Sequence, residues 1–128
     1  MHDQPTAAEL IAAVRTFIAE HARPALAGHT AFHARVAENV LAIVERELAQ
    51  GPDADAGAKT RLLALLEASS DSSLDRLNTQ LSDAIRNGKM DETTPGLLSH
   101  LKATTIDQVQ VDQPKYSGLK TAMKSDQD

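Results

Sequence analysis

Apolar residues return every three or four positions along most of this chain, the period of an amphipathic helix. Leu10, Ile11, Val14, Phe17 and Ile18 make the first such face. Thr6 and Glu9 have the spacing of a capping box, in which each side chain bonds the other's backbone N–H, and Pro5 stands just before the cap. Pro24 predicts the end of this helix, because proline has no N–H and crowds the preceding turn. Gly28 adds a second break. The stretch "FHARVAENVLAIVERELAQG" at 32–51 predicts a long central helix. Phe32, Val36, Val40, Ile43, Val44 and Leu48 form its expected buried stripe, and Gly51 followed by Pro52 its expected end. A carboxylate placed in that stripe would be buried without a partner, so Val40→Asp is expected to abolish folding.

A third helix follows in "DADAGAKTRLLALLEAS", with Asp53 or Asp55 as cap and Leu62, Leu63, Leu65 and Leu66 toward the core. The turn "SSDSSL" launches a fourth over Leu74 to Asn87, with Leu74, Leu77, Leu81 and Ile85 at helical spacing and Gly88 as its stop. Thr94 and Pro95 then read as a cap with proline at the first helical position, where its missing N–H costs nothing. Leu97, Leu98, Leu101, Thr105 and Val109 are the expected inward face of this fifth helix, and Pro114 its limit. "VQV" at 109–111 alternates, but three residues cannot found a sheet. The fold expected is all-α: a compact antiparallel bundle of about five helices over 1–116, with a disordered tail at 117–128.

Composition narrows the functions available. The 128 residues carry a net charge of −5 and three aromatic residues, Phe17, Phe32 and Tyr116. Acidity argues against nucleic acid and anionic membranes, and so few rings make a poor base-stacking surface. No cysteine is present, which excludes thiolate metal sites and cysteine nucleophiles and fits a reducing cytoplasm. The start of the chain has no signal-peptide pattern, and no apolar run is long enough to span a membrane.

Candidate chemistry is sparse. Of five histidines, His2, His21, His29, His33 and His100, only His29 and His33 have a helical metal-ligand spacing, and no third ligand accompanies them, so no metal is expected. Arg35, Asn39 and Arg46 fall near one side of the central helix. They read either as a solvated face with weak Arg–Glu pairs or as a grip on an anion or another helix. Asparagine is a poor residue for a helix interior, which singles out Asn39. Tyr116 is expected to dock its ring on the core and bond a carbonyl. No phosphate-binding loop, nucleophile elbow or kinase catalytic loop is found, the acid-rich "GPDADAG" lacks the calcium-loop spacing, and no cofactor is called for.

Several stretches together resemble a small bacterial domain family: "DQPTAAELIAAVRTFI" at 3–18, "FHARVAENVLAIVERE" at 32–47, "LNTQLSDAIRNGKMD" at 77–91 and "HLKATTIDQVQVDQPKYS" at 100–117. Members of that family are encoded beside, or fused to the C-terminus of, aminoglycoside-phosphotransferase-like kinases, often near acyl-CoA dehydrogenases. The last helix, "TTIDQVQV", is less aliphatic and less basic than the family's. The resemblance brings no catalytic residue. It implies a non-catalytic accessory module whose partner is a kinase-like or acyl-CoA dehydrogenase-like protein, or a second copy in a homo-oligomer. One alternative is a module binding an anionic ligand, an acyl-CoA or a phosphorylated compound, through Arg35, Asn39 and Arg46. A second is a small hydrolase-type enzyme using His33 with Glu38 or Glu45.

Overall fold

A computed structural model describes residues 3–125. Those residues are all-helical, with no strand among them. The α-helices are α1 (Ala7–Phe17), α2 (Gly28–Leu66), α3 (Leu74–Arg86), α4 (Leu97–Asp112) and α5 (Ser117–Lys124). The chain divides into two compact units, Met1–Gly51 and Pro52–Asp128.

The first unit is an antiparallel pair made by α1 and the part of α2 up to Gly51. Thr6 and Glu9 close the expected capping box at the start of α1. After Phe17 the backbone widens to a π turn over Ile18–Ala22 and then tightens to a 3-10 turn over Arg23–Ala25, which contains Pro24. The proline thus ends the helix as its chemistry requires. Arg15 pairs with Glu45, and Arg23 Nε lies 3.5 Å from Glu38 Oε2. These two pairs fix which sides of the helices face each other, and the half-buried positions of the unit include Ala12, Ala19 and Ala34 together with Ile11, Ile18 and Leu41.

Gly51 and Pro52 do not end a helix. α2 is assigned through them as a single element of 39 residues with Pro52 inside it. The break expected from the sequence marks the border between the two units instead. The proline costs one backbone hydrogen bond, which is tolerated because α2 has long helical runs on both sides of it.

The second unit has a core. Leu62 of α2 and Leu77 of α3 are fully buried, Leu81 and Leu97 nearly so, and Leu63, Leu65, Leu66, Ala68, Leu74 and Met90 pack around them. Each buried leucine contributes about 1.5–3 kcal/mol of apolar transfer. Ser73 caps α3 by accepting from the Arg76 N–H. At the other end Gly88 takes the left-handed conformation while the Lys89 N–H donates to the Ala84 carbonyl, which is a Schellman stop. α2 ends in the same way, with the Ala68 N–H on the Leu63 carbonyl, but the left-handed position there is Glu67, at φ 49°. A side chain in that conformation is strained. Glu67→Gly is therefore expected to raise stability by about 0.5–1 kcal/mol, read as a higher urea midpoint at unchanged slope. A lower midpoint would show that the Glu67 side chain makes a contact worth more than the strain.

Three expectations need correction here. α4 starts at Leu97 behind Gly96, not at Pro95, because Thr94 is turned back to accept from the Asp91 N–H. Its buried side is Leu97, His100 and Val111, while Leu98, Leu101 and Thr105 are exposed. The stretch after 117, expected to be disordered, begins with α5. There Leu119 is buried and the Met123 sulfur accepts from Gln110 of α4 at 3.5 Å, so two apolar residues four apart suffice to dock the helix. Residues 126–128, and His2 at the other end, lie outside the described residues.

Candidate functional site

In the first unit many of the large apolar side chains are exposed, while Ile11, Ile18, Leu41, Ile43 and Val44 are half-buried. None of the described side chains of α1 is buried. Leu10, Val14 and Phe17 on α1, and Phe32, Val36, Val40 and Leu48 on α2, are all exposed. Phe32 is 62% exposed and Val40 51%. The helical period explains why: Val14 lies about 100° round α1 from Arg15, and Val36 and Val40 lie more than about 100° round α2 from Glu38. The charged pairs occupy the seam, so the apolar stripes are turned to the outside. The expectation that Phe32, Val36, Val40 and Leu48 are core residues is thereby corrected. So is the expected unfolding by Val40→Asp, since a carboxylate at that exposed position keeps its water.

The sequence candidates fall around this stripe. Arg35 and Asn39 are exposed and stand one residue before Val36 and Val40, so they flank the stripe on one side; Arg46 is half-buried on the same side. His33 is exposed, and its ring meets the edge of the neighbouring Phe32 ring at 5.6 Å. No carboxylate partner of His33, which an acid–base pair requires, is found among the described residues. Among the described residues no group of three or more His, Asp or Glu is placed to hold a metal ion.

The second unit carries the more ordered polar cluster, and it uses residues the sequence did not single out. His100 is only 3% exposed. Arg61 of α2 reaches across to α4: its Nε donates to His100 Nδ1 at 3.3 Å, its Nη2 donates to Thr104 Oγ1 at 3.3 Å, and the same nitrogen lies 3.7 Å from Asp107 Oδ2. Burial, and then the Arg61 charge, hold the His100 pKa below its ordinary 6.5. The unfolded chain therefore takes up this proton first. The stability it provides is fully present above about pH 6.5 and is lost as pH falls toward the folded-state pKa. Between pH 7.5 and 5.5 the Tm of the wild type should fall more steeply than that of His100→Gln; parallel curves would show that this ring does not titrate on unfolding.

A cavity of about 320 Å³ opens beside this cluster, lined by Arg61, Ala64, Leu65, Pro95, Gly96, Ser99 and His100. A second, of about 270 Å³, is lined by Val109, Asp112, Gln113 and Tyr116. Tyr116 was expected to pack on the core. Its ring instead lies over Gly118, where an added Cβ would come within 2.7 Å of it, and the residue is 56% exposed. Arg61 and His100 were legible only through the spacing Leu97, His100, Thr104, Asp107, Val111, which is one helical stripe with polar members.

Residues 24–116 match the model of a family described as a domain of unknown function, DUF6285. No curated protein matches the chain, and no solved structure does. Among the described residues no helix is long and apolar enough to cross a membrane.

Proposed function

We propose that this chain, which belongs to the DUF6285 family, is a non-catalytic accessory module that docks another protein against the outer stripe of α2 in its first unit. The observation that carries the reading is the exposure of Phe32, Val36 and Val40 on one strip of helix. A strip from Phe32 to Val40 is about 12 Å long. A contiguous apolar surface of this kind, rimmed by the polar Arg35 and Asn39, has the layout of a protein interface with an apolar centre and a wet edge. Helix-in-groove recognition uses apolar anchors three or four residues apart on one face, and Phe32, Val36 and Val40 are four apart.

The partner proposed is the phosphotransferase-like kinase or the acyl-CoA-handling enzyme to which the sequence resemblance points, in a cytoplasmic setting that suits a chain without cysteine. The test is to express the tagged chain at native level in its own host and identify by mass spectrometry what is recovered with it. Near-equal recovery of such an enzyme is the expected result. A chain recovered alone as a monomer would overturn the proposal. A chain recovered as a dimer of itself would assign the stripe to a second copy.

A further inference from the structure

We propose that the first unit pairs with the first unit of a second copy of this chain to form a four-helix bundle. The face used carries Val14 on α1 and Val44 and Leu48 on α2. It is separate from the α2 stripe assigned to the other protein.

The helical period places this face. On α1, Ala7, Ile11 and Val14 are four and three residues apart, and Ile18 at the helix end follows by four. On α2, Ala34, Ala37, Leu41, Val44 and Leu48 alternate spacings of three and four. Such a repeat is the seam of a helix that packs in a bundle. Val14 precedes Arg15 by one residue, Val44 precedes Glu45 by one, and Arg15 pairs with Glu45. In an antiparallel pair, positions displaced in the same sense from the paired residues lie on the same side. The two repeats therefore make one face, with Leu10 and Phe17 at its α1 edge. Phe32 and Val36 lie about 140° to 180° round α2 from Leu41 and stay open.

The repeat suits four helices, and the unit has two. No described side chain of residues 3–51 is buried, and Ile11, Ile18, Leu41 and Val44 are only half-buried. Leu10, Val14, Phe17 and Leu48 are between 42% and 58% exposed.

Size and charge both point to a second copy as the occupant. A standard interface takes about 800 Å² from each partner, about 65% of it apolar in homodimers, which is roughly 500 Å². The four exposed side chains and the open sides of the four half-buried ones supply an area of that order. None of the positions named on the face is charged, although the chain carries −5 overall. Two copies can thus meet about a two-fold axis without setting like charges against each other.

The test is sedimentation of the purified whole chain over a concentration series, with hydroxyl-radical footprinting of Phe17 and Phe32 on the same samples. A reversible dimer is expected, in which Phe17 becomes protected several-fold as the dimer forms while Phe32 stays reactive. Val14→Asp and Leu48→Asp should each weaken the dimer at least tenfold, and Val36→Asp should leave it intact. A chain that stays monomeric at every concentration would overturn the proposal, and Phe17 already slow to react in that monomer would assign the face to the chain itself. A dimer that protects Phe32 and leaves Phe17 reactive would also overturn it. These readings need no variant to fold. A dimer with Phe32 open and no enzyme recovered from the host would overturn the docking reading alone, and an enzyme recovered with a monomeric chain would overturn this one alone.

Discussion

Leu77→Ala should lower the unfolding free energy by about 2–5 kcal/mol, the range for deleting a buried leucine side chain in a core that relaxes only partly. Leu77 is fully buried and meets Leu62, Leu81 and Leu97, so the cavity left behind is walled by residues from three helices. Rotation of one helix cannot fill it. Leu98→Ala, one residue from the core position Leu97 but itself 57% exposed, should stay within about 0.5 kcal/mol of the wild type. Urea unfolding of the two variants side by side decides the matter. A loss below about 1 kcal/mol for Leu77→Ala, or equal losses for both, would mean that the second unit is not held together by this leucine cluster.

The double variant Val36→Asp, Val40→Asp is expected to behave in the opposite way. Both positions are already in water, 42% and 51% exposed, so the new carboxylates are not desolvated and the Tm should move by no more than a few degrees. Docking should suffer far more. Covering two carboxylates with an apolar surface leaves each unpaired and dehydrated, and removing one partner's apolar anchors at an interface centre costs several kcal/mol. Recovery of the partner should fall by at least tenfold. Loss of folding would place Val36 and Val40 in a core, and undiminished recovery would move the interface elsewhere.

Much of the helical order was legible because local signals are strong where they are redundant. Thr6 and Glu9 satisfy each other's donors, Pro24 removes a backbone bond, and Gly88 supplies a left-handed residue, each without help from the rest of the fold. Gly51–Pro52 misled because a proline's local cost of about 3 kcal/mol is an amount that continuous helix on both sides can absorb. The direction of the apolar faces was not legible at all. Periodicity shows that Phe32, Val36 and Val40 share a side. Only the pairs Arg15 with Glu45 and Arg23 with Glu38 show that this side faces away from α1. The polar row of Arg35 and Asn39 was visible, but its meaning as a rim depends on that direction. His100 was hidden because a polar residue in a buried stripe reads as a gap, and its partner Arg61 lies 39 positions earlier.

The central claim is that the outer stripe of the first unit is open in the chain and covered in its complex. Hydroxyl-radical footprinting of Phe32, compared between the purified chain and the chain recovered from its host, tests it most directly. The expected result is rapid oxidation of Phe32 in the purified chain and several-fold protection in the recovered material, with His21, exposed in the first unit but outside the α2 stripe, unchanged in both. Slow oxidation of Phe32 in the purified chain at monomer concentrations, or equal oxidation in both samples, would contradict it.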